Sequence, residues 1–146
     1  MLVELREKEF DPWQELQQFQ DSHSELAGKF GATSIFVGTM RDFNEGNEVS
    51  AMTLEHYPEM TQKHLQEISA EAMERWKLLD TLIIHRYGEI KPDDAIVLLA
   101  VWSAHRADSF PACQYLIEEL KTRAPFWKKE SLEGKTKWVE KNSPAE

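Results

Sequence analysis

Lys121 and Lys128 flank Pro125-Phe126-Trp127 within the segment LIEELKTRAPFWKKESLEGKTKW, residues 116–138. A lysine beside buried aromatic rings loses water, and a second ammonium nearby repels it. Both effects disfavour the charged form, so one lysine could serve as base or nucleophile and the other as an electrostatic clamp. A solvated basic turn, with Lys121 merely favourable at a helix C-terminus, explains the same residues equally well. Ser103-Ala104-His105-Arg106 ends the most apolar run of the chain and precedes Asp108-Ser109. Backbone N–H groups at a helix start favour anions, histidine can move a proton near neutral pH, and arginine can grip a phosphate with two hydrogen bonds. The competing reading pairs Arg106 with Asp108 and leaves His105 structural. Arg41 follows Gly38-Thr39-Met40, where a glycine lets the backbone approach a ligand or a neighbouring strand. It could equally pair with Asp42 or Glu45. Lys129, Lys135 and Lys137 read as surface residues.

These cations lie in an acidic chain. Lys+Arg 17 against Asp+Glu 26 gives a formal charge of −9. That balance disfavours a broad phosphate-backbone surface, which needs clustered cations, but permits one anionic small molecule in a local basic pocket. The stretch 95–107 contains no carboxylate. P-loop, GxGxxG, CxxC, HExxH and GxSxG patterns are all missing. Histidines 23, 56, 64, 85 and 105 show no zinc spacing with cysteine, and no metal is expected. Cys113 is the lone cysteine, on the apolar face of an expected helix, and reads as a buried structural thiol. The N-terminus lacks a signal pattern and no apolar run is long enough to span a bilayer, so a cytoplasmic protein is expected.

The elements that must position these residues follow from periodicity and punctuation. Strands are expected at 2–8, 32–40, 48–57, 81–87 and 95–103, with a closing hairpin over 126–132 and 135–140. The strand at 48–57 would pair as a hairpin with 32–40. Asp11-Pro12 starts a helix running to about residue 26, with Trp13, Leu16 and Phe19 on one face. Pro58 opens a second helix to 76, burying Met60, Leu65, Ile68, Ala72 and Trp76. A third helix over about 110–123, capped by Asp108-Ser109, buries Phe110, Cys113, Leu116 and Leu120. Residues 41–47 and 88–94 read as turns. The order β-α-β-β-α-β-β-α-β-β, with short connections, predicts a single α+β domain over 1–146. Its sheet is antiparallel or mixed, with three main helices packed on one face and residues 141–146 frayed.

The strings FVGTMRDFNEGNEV, MTLEHYPEMT, IIHRYGEI, KPDD, SAHRADSF, LKTRAPFWKKE and EGKTKWVE resemble the large, catalytic subunits of molybdopterin synthase, the MoaE family, over about residues 30–140. The N-terminal 30 residues match loosely, and no long basic tail follows Trp138-Val139-Glu140. The resemblance implies an α/β-hammerhead-type fold and a cytoplasmic sulfurtransferase of molybdenum-cofactor biosynthesis. Such an enzyme converts cyclic pyranopterin monophosphate (precursor Z) to the molybdopterin dithiolene. It needs no cofactor, because sulfur arrives as a thiocarboxylate on the C-terminal Gly-Gly tail of a small ubiquitin-like subunit. It also implies a large-subunit homodimer within a heterotetramer, without nucleic-acid or membrane partners. Residue by residue, it puts Lys121 beside the incoming tail and Lys128 beside the pterin as catalytic groups. His105 and Arg106 would bind the phosphate or pterin edge, and Thr39, Met40, Arg41, Lys129 and Glu130 would complete substrate binding, some of these residues coming from different protomers.

Overall fold

The run Ala95–Ser103 is apolar at nearly every position, and a strand of that kind must be covered on both faces. In the computed structural model it is an inner strand, β8 (Ala95–Ser103), of a sheet that also holds β6 (Leu78–Arg86), β1 (Leu2–Arg6) and β2 (Ala32–Thr39). The structure describes the backbone of residues 1–44, 47–48, 50–124, 126–132 and 135–139, and the side chains of 1–42, 50–124 and 126. The main sheet runs β1-β6-β8-β2. β1 lies parallel to β6, whereas β6–β8 and β8–β2 are antiparallel, so the sheet is mixed as expected.

Period-2 alternation sends Ile83, Val97, Leu99 and Val101 to one face, under α2 (Pro58–Arg75) and α3 (Arg106–Arg123). Leu82, Ile84, Leu98, Ala100 and Trp102 go to the other, under Phe19 of α1 (Pro12–Ser22) and Leu26 of a short 3-10 turn, Ser24–Leu26. The helices therefore occupy both faces, not one. Two apolar faces on β6 and β8 require two covers. Trp102 is fully buried, stacks on Phe19 at 4.8 Å and donates its Nε1–H to Gln20 Oε1 at 3.0 Å.

A second sheet runs β10-β9-β5-β7, with β5 (Ala51–His56), β7 (Gly88–Ile90), β9 (Phe126–Leu132) and β10 (Lys135–Val139). β5 does not pair with β2, contrary to the hairpin expected from the sequence. The inner edge of β2 is taken by β8 from Ala32↔Ser103 to Thr39↔Ala95, while β5 pairs with β7 and β9. Between them the small hairpin β3 (Phe43–Asn44) and β4 (Asn47–Glu48) carries the chain away. All the expected strands and helices occur. β3, β4 and β7 are additions in segments read as turns.

Some expected core positions are exposed. Trp13 is 61% exposed because six residues at 100° each turn it about 120° from Phe19. Phe110 is 66% exposed, about 160° round α3 from buried Ala112. Met60 is also exposed, its place in the buried stripe of α2 taken by Thr61. Cys113 is buried as expected, and burial pushes its thiol pKa up to about 11, so it is a poor nucleophile.

Candidate active site

α3 begins four residues earlier than the sequence suggests. Its N-cap is His105, without a side-chain cap, and its first residue is Arg106. Asp108-Ser109 does not cap it. Ser109 is buried, accepting a hydrogen bond from Ser34 Oγ at 2.9 Å and donating to the Arg106 carbonyl. The turn before the helix is held by Ser103 Oγ donating to the His105 carbonyl at 2.6 Å and Gly31 N–H donating to the Ser103 carbonyl at 2.9 Å. His105 and Arg106 stay exposed. A β-carbon on Gly31 would lie 2.3 Å from the Ala104 carbonyl oxygen. Gly31→Ala is therefore expected to shift this turn and cost about 1–3 kcal/mol, measured by denaturant unfolding.

Thr39-Met40-Arg41 leaves the far end of β2, past a register shift at Gly38/Thr39. A β-carbon on Gly38 would lie 2.9 Å from Val97 Cγ1, so this glycine serves the neighbouring strand. Met40 is buried with Met52, Leu54 and Ile90, so any contact it makes with a ligand falls to its main chain. That main chain is held on both sides: Met40 N–H donates to the Asp94 carbonyl at 3.0 Å, and Asp93 N–H donates to the Met40 carbonyl at 2.9 Å. Thr39 and Arg41 are exposed.

Lys121 is half-buried on the last turn of α3. The cation next to it is differently employed. Arg123 reaches Glu71 at 2.7 Å, Glu67 at 3.6 Å and Glu119 at 3.7 Å, and Tyr115 Oη donates to Glu71 at 2.7 Å. The Arg123 hydrogen bond, then that of Tyr115, holds the Glu71 carboxyl below its ordinary pKa. Arg123 thus braces α3 against α2. The chain then turns into β9, which sets Lys128 opposite Leu54, Lys129 opposite Thr53 and Glu130 opposite Met52. The side chains of Lys128, Lys129 and Glu130 lie outside the described residues.

The expected residues fall into two groups. Arg106 and Lys121 stand 15 positions apart on one helix, about 22 Å at 1.5 Å per residue. α3 folds back along β8, so its C-terminus shares an end of the main sheet with Thr39 and Ala95, whereas His105 and Arg106 share the opposite end with Ala32 and Ser103. Arg41, Lys121 and the start of β9 therefore lie toward one end, and His105-Arg106 toward the other. A single copy of the chain does not close one pocket around all of them.

The sequence reading passed over Phe126, His85, His56 and Arg86 as site residues. The Phe126 ring stacks on His85 at 3.9 Å and lies 5.6 Å from His56. Arg86, 4% exposed, donates to the carbonyls of Glu7 and Glu89 and lies 3.6 Å from Asp94, whose carbonyl holds Met40. The available signal was HRYG at the end of a strand, a buried cation where the chain turns. Among the described residues, His23, Glu25 and Asp80 bring metal-ligand atoms within 4.8 Å of one another. Asp80 Oδ1 already accepts from the Met1 amine at 2.5 Å and Thr81 N–H at 2.8 Å, and none of the site residues belongs to this group. A cleft of about 590 Å³ beside Thr39 is lined by Glu9, Asp11, Asp93 and Asp94 with Phe10 and Trp13, the wrong charge for a phosphate.

The profile of the MoaE protein family matches residues 5–123. The chain belongs to the MoaE family. Its molybdopterin synthase catalytic subunit relative from Pseudomonas aeruginosa is 48% identical over 140 residues, covering 96% of this chain and 91% of that protein. Among solved structures, molybdopterin synthase from Staphylococcus aureus superposes with a TM-score of 0.82 at 32% identity, covering 93% of this chain and 95% of that one. At the level of fold, a chain from the complex of subunits 1 and 2 of the molybdopterin-converting factor of Helicobacter pylori superposes with a TM-score of 0.80 at 20% identity, over 97% of this chain and 92% of that one. As a MoaE protein the chain has an α+β fold built as a mixed sheet plus an antiparallel sheet. No helix among the described residues is long and apolar enough to cross a membrane.

Proposed function

We propose that this chain is the catalytic large subunit of a molybdopterin synthase. It transfers sulfur from the C-terminal thiocarboxylate of a small ubiquitin-like subunit to cyclic pyranopterin monophosphate and so forms the molybdopterin dithiolene. The observation that carries this reading is that a chain of the MoaE family carries Lys121 on the last turn of α3 and Lys128 as the third residue of β9, the strand that follows.

The chemistry needs an anion brought close to an electrophilic pterin carbon. The thiocarboxylate sulfur attacks that carbon, a new C–S bond forms while a C–O bond at the same carbon breaks, and the displaced oxygen leaves on the phosphate or, once protonated, as water. Water then cleaves the acyl–sulfur bond, leaving sulfur on the pterin and a carboxylate on the tail. Two donors supply the two sulfurs. Lys121, beside the tail, stabilises the negative charge on the acyl group and can supply a proton; Lys128 does the same on the pterin side. Thr39, the Met40 main chain, Arg41, Lys129 and Glu130 line the pterin, and His105 with Arg106 hold the phosphate. The reading assigns no cofactor, since the sulfur arrives on the partner, and puts the protein in the cytoplasm.

The separation of about 22 Å along α3 makes this a site built by two copies. β2 is the edge strand of the main sheet, and its run ATSIFVGTM contains neither charge nor proline. Such an edge lacks the features that usually prevent pairing. Antiparallel pairing of β2 with β2 of a second copy sets the Ala32 end of one beside the Thr39 end of the other. That brings His105 and Arg106 of one copy toward Arg41 and Lys121 of its mate, and the site recurs twice about the two-fold axis.

The test is reconstitution. The chain, a thiocarboxylated small subunit and precursor Z are mixed, and dithiolene is measured after conversion to a fluorescent pterin derivative. Stoichiometric use of thiocarboxylate with product formation is expected. Binding of the small subunit without product would instead make the chain an adaptor.

A further inference from the structure

The mechanism above leaves unused the aromatic contact at the point where α3 hands over to β9. Phe126 is the first residue of β9, and its N–H donates to the Ala124 carbonyl at 2.9 Å, so the strand starts almost directly from the helix. Its ring lies flat on His85, with centroids 3.9 Å apart and planes 16° from parallel. His56 lies 5.6 Å from the same ring and 4.6 Å from Tyr87. In register, His56 is the residue of β5 directly opposite Phe126.

These rings come from different layers. His85 belongs to β6 of the main sheet, whereas His56 and Phe126 belong to the second sheet. His85 is 5% exposed, and its Nδ1 is 2.7 Å from the Arg86 carbonyl, a contact in which Nδ1 carries the hydrogen and the ring orientation is fixed. Burial lowers the His56 pKa, and its Nδ1 has no hydrogen-bond partner among the described residues. Phe126 is thus a pin between the two sheets, seated on an immobilised imidazole. It stands five residues after Lys121 and two before Lys128. The first lysine rides on a helix packed on the main sheet, the second on a strand of the other sheet.

We propose that Phe126, held by His85 and His56, is a positioning residue for sulfur transfer: it fixes the start of β9 against the end of α3 and so sets the relation of Lys128 to Lys121. The proposal rests on the sulfur-transfer reading given above. A packing role alone would lower stability and leave the turnover of folded molecules intact. A positioning role lowers kcat in folded molecules and changes KM for precursor Z little, because its phosphate is held by His105 and Arg106 of the mate, outside this junction.

The experiment compares Phe126→Leu, which keeps apolar bulk but loses the flat ring, with Phe126→Tyr, which keeps the ring. Each is reconstituted with thiocarboxylated small subunit, and the folded fraction is fixed by circular dichroism and gel filtration. Phe126→Leu is expected to lower kcat about 10- to 100-fold with KM within about twofold, and Phe126→Tyr to stay within about threefold of wild type, since a misplacement near 1 Å can cost that much. If Phe126→Leu fails to fold, His56→Leu and His56→Phe provide the same contrast from the other side of the ring. Wild-type kcat in a folded Leu variant, or equal losses in the ring-keeping and ring-losing variants, would overturn the proposal. Wild-type protein that binds the small subunit yet makes no dithiolene overturns the sulfur-transfer reading and this proposal with it, whereas an active wild type beside an unaffected Leu variant overturns this proposal alone.

Discussion

Lys121→Ala is expected to lower dithiolene formation by about 10²–10⁴-fold, the range for losing a group that stabilises charge or moves a proton in the transition state. The fold should survive. Leu116 and Leu120, not Lys121, carry the buried face at this end of α3, and Arg123 bound to Glu71 keeps the helix end braced. Single-turnover reconstitution with excess thiocarboxylated partner reads the chemical step, and urea unfolding should shift by no more than about 0.5 kcal/mol. The neighbouring Arg123→Ala is the control, because its charge is spent on Glu71 and Glu67. It should cost some stability and little turnover. Turnover of Lys121→Ala close to wild type would remove that lysine from the chemistry and leave Lys128 as the only candidate at the junction.

This contrast between two cations two residues apart marks what the sequence can and cannot disclose. The strings around residues 38–41, 103–106 and 121–130 pointed to the right family, because each combines residue types that are individually common in an uncommon order. Nothing local separates Lys121 from Arg123. Arg123 is engaged because α2 presents Glu67 and Glu71 to it, and their alignment across the helix pair is a tertiary fact. β8 was legible because nine residues without a charge admit few structures other than a covered strand. That its two faces need separate helices also follows from that run, yet packing all three helices on one face ignored the second apolar row of Leu98, Ala100 and Trp102. The start of α3 was misplaced because Asp108-Ser109 has the composition of a cap, while the true cap, His105, forms no side-chain bond that a sequence could advertise. The pairing of β5 was missed for a different reason. Adjacent strands usually pair, but here β2 takes its partner from a strand some sixty positions on, and both edges of β5 are filled by β7 and β9.

The net charge of −9 acquires a physical role in this arrangement. Excess carboxylates keep anions away from most of the surface, so a phosphate-bearing substrate finds net attraction only where cations are concentrated. The cleft beside Thr39 is lined by carboxylates, and Glu67 and Glu71 of α2 are engaged by Arg123. If each protomer held only half of the cations needed, neither half would be a strong phosphate site alone, and assembly of two copies would create the affinity.

That division gives the second large effect. Arg106→Ala alone is expected to raise KM for precursor Z about 30-fold or more, the cost of losing a charge-assisted grip on phosphate. Lys121→Ala alone is expected to be nearly inactive. When the two impaired proteins are unfolded together and refolded as a mixture, half of the dimers should contain one copy of each. In such a dimer one site has lost both residues, and the other draws an intact Lys121 from one copy and an intact Arg106 from its mate. Activity should therefore return to roughly one quarter of the wild-type level at low precursor concentration, from near zero in each parent. A double variant carrying both changes in the same chain, refolded with wild type, gives dimers in which each site has lost one residue, and the mixed species should contribute almost nothing. Sites confined to single chains reverse the pattern: no recovery in the first mixture, and one normal site per mixed dimer in the second. The two mixtures thus assign Arg106 and Lys121 to the same copy or to opposite copies by activity alone.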